Sequence, residues 1–112
     1  MLDVKKLLTK MLTVKTVDFT PTAGTNYSGY GNCWYQQWGR LVHVHIGVGG
    51  LTANTATTIY TMPSGLRPRT QLVTIGRSGN TASFAYMSIG VAGAIVATPQ
   101  QTYATGEFYY FV

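Results

Sequence analysis

The sequence predicts an all-β protein, a jelly-roll-like antiparallel β-sandwich of about eight strands with a short N-terminal helix. Residues 32–48 combine strict alternation with a central turn, and further short segments are separated by Gly or Pro. Thr, Val and Tyr are abundant, while charged residues make up only 10% of the chain. Few charges with many strand-forming residues are typical of a β-rich globular protein rather than a disordered one.

Length and charge limit the function classes. A chain of 112 residues forms one domain and can bury roughly two-thirds of its unfolded surface. The net charge is +5, but the basic residues are scattered along the sequence. They do not form the clustered basic surface that binds nucleic-acid phosphates, so we expect no nucleic-acid partner. No stretch reaches the roughly 18 apolar residues of a membrane span, and no signal peptide is recognisable. The sequence therefore predicts a soluble protein without membrane insertion.

Residues 2–14 form the only predicted helix. Val4, Leu8 and Met11 follow helical spacing on one side, and lysines occupy the other. A helix of about three turns is marginal by itself in water, so it either covers its own domain or pairs with copies of itself. The predicted domains are an N-terminal helix over residues 1–14, for a stalk or trimerisation, and a β-sandwich head over residues 15–112.

The rest of the chain consists of predicted strands separated by turn residues. Residues 22–31 are rich in Gly, Ser, Thr and Asn, which predicts a surface loop carrying Tyr27 and Tyr30. The final aromatic run FYYFV predicts a terminus buried in the centre of a sheet or against another subunit. The predicted strands are residues 15–20, 33–38, 41–48, 57–62, 71–75, 82–91, 94–97 and 103–112, with a hairpin turn at 76–80.

The central hairpin over residues 32–48 organises these strands. Alternation in its second strand predicts two faces, because strand side chains repeat every two residues. His43 and His45 share one face, whereas Trp34 and Trp38 of the first strand are expected in the core or an interface. The other face is a branched aliphatic row expected against the core: Val42, Val44, Ile46 and Val48.

The segments YGNCWYQQWGRLVHVHIGV and LTANTATTIYTMPSGLRP, a Gly-rich hairpin and the final FYYFV together resemble a known family. They are similar to the C-terminal head domains of bacteriophage or prophage tail-fibre and receptor-binding proteins, over about residues 27–112. The resemblance implies a compact β-sandwich assembled as a homotrimer behind a helical or fibrous stalk. It also implies a place in the virion, at a tail fibre or baseplate tip, and binding to a bacterial surface glycan or protein.

The residues support trimerisation independently. A chain with little charge, an aromatic C-terminus and a short helix would expose much apolar surface as a monomer. The residues expected at a trimer interface are Val4, Leu8, Met11, His43, His45 and Phe111.

Glycan binding requires aromatic faces for sugar rings and polar groups for hydroxyls. Residues of these types at loop and turn positions are the candidates for receptor or glycan binding. They are Tyr27, Tyr30, Arg67, Arg69, Arg77 and Asn80. Each also has a purely structural interpretation, in which tyrosines cap the core and arginines solvate turns.

The H-x-H pair of His43 and His45 has two interpretations. Three copies could bring six imidazoles to a metal, or the pair could pack at a subunit contact or form hydrogen bonds with neighbouring groups. We predict the second, with no metal and no cofactor. Glycan hydrolysis normally requires two carboxylates, and only Glu107 is well placed in the domain. Cys33 is expected to be a small buried hydrophobe, because nothing orients it as a nucleophile.

The sequence therefore predicts a non-enzymatic trimeric head that attaches a phage to its host. The alternatives are a purely structural virion or trimerisation module and a single-chain carbohydrate-binding module.

Overall fold

The structure is a computed structural model that describes residues 3–6, 14–79 and 82–112. Within these ranges the protein is all-β, which confirms the predicted fold class, and all strand pairs are antiparallel. One turn of 3-10 helix, Ser28–Tyr30, precedes the central hairpin. The strands are β1 Thr16–Asp18, β2 Thr25–Asn26, β3 Trp34–Trp38, β4 Leu41–Gly49, β5 Thr57–Thr61, β6 Leu72–Arg77, β7 Phe84–Ile89, β8 Ala94–Pro99 and β9 Ala104–Phe111.

The strands form one curled sheet in the order β1-β3-β4-β9-β6-β7-β8-β5, with β2 also paired to β4. We call β1 to β4 with β9 the β4 half, and β5 to β8 the β7 half. Between the described residues of the two halves, the ladder contains one residue pair, Arg77 with Thr105. The aromatic strand β9 therefore lies in the interior of the sheet, between β4 and β6, which is one of the two predicted positions. Only Phe108 and Tyr110 of its aromatic run are buried, because Tyr109 and Phe111 are 58% and 63% exposed.

The core is filled by the inward side chains of both halves. On β4, the predicted aliphatic row is fully buried, with 0% exposure for Val42, Val44, Ile46 and Val48. The β7 half contributes the fully buried side chains Ile59, Met87, Ile89 and Ile95. Burying each large apolar side chain stabilises the fold by about 1.5–3 kcal/mol. The inward side chains of the two halves share one core, so their burial stabilises the curled sheet.

Glycine allows the two halves to approach where they join. A Cβ on Gly76 would overlap the carbonyl oxygen of Thr105, and a Cβ on Gly106 would lie 2.9 Å from Met87 Sδ. Strand β6 consequently continues through Gly76 to Arg77. The hairpin turn predicted at residues 76–80 therefore begins too early, because Gly76 serves close strand packing rather than a turn.

The N-terminal region is described only in part. Residues 4–6 are helical, and the Lys6 amide donates to Asp3 Oδ1 at 3.1 Å, a typical cap for the first turn. Val4 is 59% exposed. Leu8 and Met11, which complete the predicted apolar row, lie outside the described residues.

Candidate functional site

The outward face of the β4 half carries the two histidines, as predicted from alternation. Cross-strand register places three rows of neighbouring side chains across β3, β4 and β9. From one end to the other, the rows are Trp38, Leu41 and Phe111; Gln36, His43 and Tyr109; and Trp34, His45 and Glu107. Trp34 and Trp38 are thus outside the core, and Trp38 is 37% exposed.

Both histidines contact the same carboxylate. His43 Nε2 and His45 Nδ1 each lie 3.2 Å from Glu107 Oε1. The His43 side chain is nearly buried, whereas 45% of the Glu107 side chain is exposed. Partial burial by itself would raise the pKa of Glu107, but the hydrogen bonds and positive charge of the histidines outweigh it and hold the pKa below its ordinary value of 4.5.

His45 lies between two hydrogen-bond acceptors. Its Nδ1 faces Glu107, and its Nε2 lies 2.7 Å from the carbonyl oxygen of Tyr30. A neutral imidazole has only one N–H, so both bonds form together only when both ring nitrogens carry protons. The ring of His45 therefore lies between Glu107 on β9 and the Tyr30 carbonyl in the turn at Ser28–Tyr30.

Aromatic rings enclose the histidines. Trp34 stacks on His45 with centroids 5.0 Å apart and planes 10° apart, and Tyr109 stacks on His43 at 4.2 Å and 12°. Trp38 lies 6.4 Å from His43 on a nearly parallel plane. This packing supports the interpretation of His43 and His45 as packed and hydrogen-bonded side chains.

A tyrosine cluster lies at one end of the sheet and includes two predicted binding residues. Tyr27 and Tyr30 meet edge to face at 5.0 Å, and Tyr103 lies 4.9 Å from Tyr27. The Tyr30 hydroxyl donates to the Gly79 carbonyl at 2.9 Å, and Arg77 Nε donates to the same oxygen at 3.0 Å. The structure therefore brings Tyr27, Tyr30 and Arg77 together.

The other predicted binding residues are not part of this cluster. Arg67 is half-buried and donates from Nε to the Met62 carbonyl at 2.9 Å. Arg69 is exposed and reaches the Val112 carbonyl at 3.4 Å, beside the far ends of β4 and β9. Asn80 lies outside the described residues. Tyr103 was missed because its position after Pro99 indicated only the start of the last strand.

The outward face of the β7 half is apolar, which the site prediction also missed. Val73 and Ile75 on β6 are 52% and 70% exposed, and Phe84 and Tyr86 on β7 are 55% and 52% exposed. The sequence of β7 did contain a signal for this face, because the side chains on both faces of the strand are apolar. Ala85 and Met87 point inward, so Phe84 and Tyr86 point outward.

Two cavities border this apolar surface. A cleft of ≈ 900 Å³ separates the outward sides of β6 and β9, with Ile75, Phe84, Glu107 and Tyr109 among its lining residues. A smaller groove of ≈ 250 Å³ lies on the β7 half, lined by Ile75, Phe84, Tyr86, Thr98 and Gln100. Both are open and mainly apolar, so they can receive side chains of a partner as well as small molecules.

Two observations bear on the chemistry considered from the sequence, namely the position of Cys33 and the arrangement of possible metal ligands. Cys33 is fully buried, its thiol faces the Gly47 carbonyl at 3.6 Å, and burial raises its pKa although this contact partly opposes the rise. Within residues 3–6, 14–79 and 82–112, no group of three His, Cys, Asp or Glu side chains is arranged to hold a metal.

No helix among the described residues has both the length and the apolar character needed to cross a bilayer. Comparison of the sequence with models of known protein families, and with curated proteins, gave no match.

Proposed function

We propose that this chain is the non-enzymatic head of a phage or prophage tail fibre or related receptor-binding protein. It forms a homotrimer at the tail fibre or baseplate tip of the virion and attaches the particle to a bacterial surface glycan or protein. The observation that carries this proposal is the division of the surface into apolar outward faces along the strands and a tyrosine cluster at one end.

The apolar faces support self-association. Val73, Ile75, Phe84 and Tyr86 are each more than half exposed on the β7 half, and a partner subunit would remove them from water. His43, His45 and Phe111, which the sequence analysis assigns to the trimer interface, lie on the outward face of the β4 half. Of these three, Phe111 gives the main support to the assignment, because it is 63% exposed, whereas His43 is covered by aromatic side chains of its own chain.

The tyrosine cluster supports receptor binding. Tyr27 is 39% exposed and belongs to a group of three rings, and Arg77 lies next to it through the shared Gly79 carbonyl. Aromatic faces with adjacent polar groups suit the alternating apolar and hydroxyl surfaces of a sugar. Weak contacts repeated on three subunits would add up to useful avidity.

Two other functions use the same features differently. In a purely structural virion module, the apolar faces hold a trimer and the tyrosine cluster has no ligand. In a single-chain carbohydrate-binding module, the cluster binds sugar and the chain stays a monomer. A nucleic-acid binder would differ from all of these through a steep loss of affinity with salt.

The test has two steps. Light scattering on a sizing column should give about three times the chain mass of 12.2 kDa across a dilution series. The trimer should then bind host cells, and Tyr27→Ala and Arg77→Ala should weaken binding at least tenfold. Arg40→Ala is the matched control, because Arg40 is an exposed arginine at the opposite end of β4.

Each contrary result selects an alternative. A stable monomer that binds glycans would indicate the single-chain module. A trimer without affinity for host cells would indicate the structural module. Turnover of a host glycan that Glu107→Gln abolishes would contradict the non-enzymatic assignment.

A further inference from the structure

We infer that the cleft between β6 and β9 binds a neutral pyranose ring, whose hydroxyl groups donate to the Glu107 carboxylate and accept from the Arg77 guanidinium. The inference deepens the proposed function and rests on it, because the sugar would belong to the bacterial surface receptor. It adds a binding site that lies outside the tyrosine cluster and within a single chain.

The strand register places two opposite charges near each other at one end of the cleft. Arg77 pairs with Thr105 where β6 and β9 join, and Glu107 follows Thr105 by two residues on the same outward face. Arg77 and Glu107 are therefore diagonal neighbours, a relation that places Cα atoms roughly 7–8 Å apart. Both side chains line the cleft of ≈ 900 Å³.

These two charged groups do not form an ion pair with each other, because each is held by its own hydrogen bonds. Within the described residues, the Glu107 carboxylate contacts His43 and His45, and both contacts end on Oε1. Arg77 Nε donates to the Gly79 carbonyl at 3.0 Å, and its terminal nitrogens have no acceptor in the described part of the chain. An acceptor oxygen and several N–H donors are thus left for a ligand on the outward face.

Aromatic side chains form walls of the same cleft. Tyr109 on β9 and Phe84 on β7 both line it and are 58% and 55% exposed. Tyr109 is held in place by stacking on His43, and Phe84 pairs with Arg77 in the β6–β7 ladder. An exposed aromatic face suits the apolar C–H side of a sugar ring, and the neighbouring polar groups suit its hydroxyls.

The two charges restrict the class of ligand. An anion in the cleft would be repelled by Glu107, and a cation would be repelled by Arg77. An entirely apolar ligand would take both charged groups out of water without giving them hydrogen bonds, which is unfavourable. A neutral ring with hydroxyls satisfies both groups, and the cleft volume lies within the roughly 300–1,000 Å³ of small-molecule sites.

The cleft uses only part of the apolar outward surface. A sugar in it would cover Ile75 and Phe84, which line the cleft. Val73 and Tyr86 are not among its lining residues, and they remain available for a subunit contact. Ligand binding and self-association can therefore use different parts of the β7 half.

The cleft also adjoins the tyrosine cluster. The Arg77 guanidinium and the Tyr30 hydroxyl donate to the same Gly79 carbonyl. A receptor glycan of several sugars can therefore contact the tyrosine cluster and the cleft together.

Amide NMR of the isotopically labelled full chain, titrated with neutral methyl glycosides, tests the inference. The probes are the methyl glycosides of glucose, galactose, mannose and N-acetylglucosamine, with tetramethylammonium chloride as the cationic comparison. We expect at least one glycoside to bind with a Kd of about 1 mM, as suits a ligand of this size. Binding should shift the amide signals of Thr74 and Thr105, which line the cleft.

Two variants and two matched controls locate the bound sugar. Phe84→Ala and Glu107→Gln should each raise the Kd about tenfold or more, whereas the controls should stay within about twofold. Tyr86→Ala removes an equally exposed aromatic ring of β7 that does not line the cleft. Asp18→Asn removes one negative charge from an exposed side chain of β1. Circular dichroism and a thermal melt confirm that each variant folds.

Three results would overturn the inference. The first is that no neutral glycoside shifts the cleft residues up to roughly 100 mM, about a hundred times the expected Kd. The second is that tetramethylammonium binds more tightly than every glycoside, which would exclude a neutral ligand. The third is that folded Phe84→Ala and Glu107→Gln bind the glycoside as well as the controls do.

The outcomes also separate this inference from the proposed function. If Tyr27→Ala abolishes sugar binding and Phe84→Ala does not, the sugar lies at the tyrosine cluster, and the proposed head stands without the cleft site. If the cleft binds sugar but the chain neither trimerises nor binds host cells, the cleft site is confirmed and the proposed phage head is contradicted.

Discussion

The contact between the two halves of the sheet predicts an unusual sensitivity at Gly76. A Cβ at this position would overlap the Thr105 carbonyl oxygen and lie 2.9 Å from the carbonyl carbon of the same residue. Neither atom can rotate away, because both belong to the backbone of β9. Gly76→Ala must therefore separate β6 from β9 at the ladder pair of Arg77 with Thr105.

The expected cost follows from this geometry. Overpacking a tight site costs about 1–3 kcal/mol, and the backbone clash places Gly76→Ala near the upper end, at about 3 kcal/mol. For a domain of this size that corresponds to a decrease in melting temperature of roughly 10 °C. Because total stabilities are only about 5–15 kcal/mol, the variant should fold but unfold at distinctly lower urea concentration.

Urea and thermal unfolding at one fixed protein concentration measure the effect. Gly90→Ala is the matched control, because a Cβ on Gly90 meets no atom within 4 Å and its backbone does not require glycine. We expect the control to change the free energy of unfolding by less than about 0.5 kcal/mol. If Gly76→Ala costs no more than the control, the close approach of β6 and β9 is not a structural requirement.

Three further predictions concern single groups. Glu107→Gln should lower stability near neutral pH, and the difference should shrink as the pH falls below 4.5. The pKa of Glu107 is lower in the folded chain than in the unfolded chain, so its carboxylate stabilises the fold at pH values above 4.5, and this contribution is lost as the pH falls and the carboxylate protonates. A difference between the two proteins that stays constant with pH in urea melts would contradict this. Cys33 should react with a thiol reagent far more slowly in the folded chain than in urea, because it is buried and its pKa is raised; equal rates would place the thiol at the surface. Tyr110→Phe should cost about 1 kcal/mol in urea melts, because the hydroxyl donates to the Leu66 carbonyl at 2.7 Å; an unchanged midpoint would show that water replaces this bond.

Local alternation was sufficient to predict the core row and the outward histidines. His43 and Val44 are adjacent in the sequence, and adjacent side chains of a strand point to opposite faces of the sheet. The same rule puts Met87 and Tyr86 of β7 on opposite faces, but both are apolar, so alternation alone did not indicate that Met87 is buried and Tyr86 exposed. The predictions for β4 succeeded because they depend only on a period of two residues.

The pairing of distant strands could not be predicted in this way. Glu107 meets His43 across 64 residues, and Tyr30 meets Gly79 across 49 residues. Register between distant strands depends on the whole sheet and leaves no local pattern in either segment. The extent of β6 was wrong for a related reason, because Gly76 looks like a turn residue until its neighbour on β9 is known.

The interior position of β9 has a consequence for how the chain folds. Strand β4 pairs with β9 over eight residue pairs, from Leu41 with Phe111 to Val48 with Ala104. These contacts are among the most distant in the sequence, so loop closure slows folding, as expected for a β topology of high contact order. Until residues 104–111 are available during synthesis, β4 presents an unpaired apolar edge, and a chain truncated before them should aggregate rather than fold.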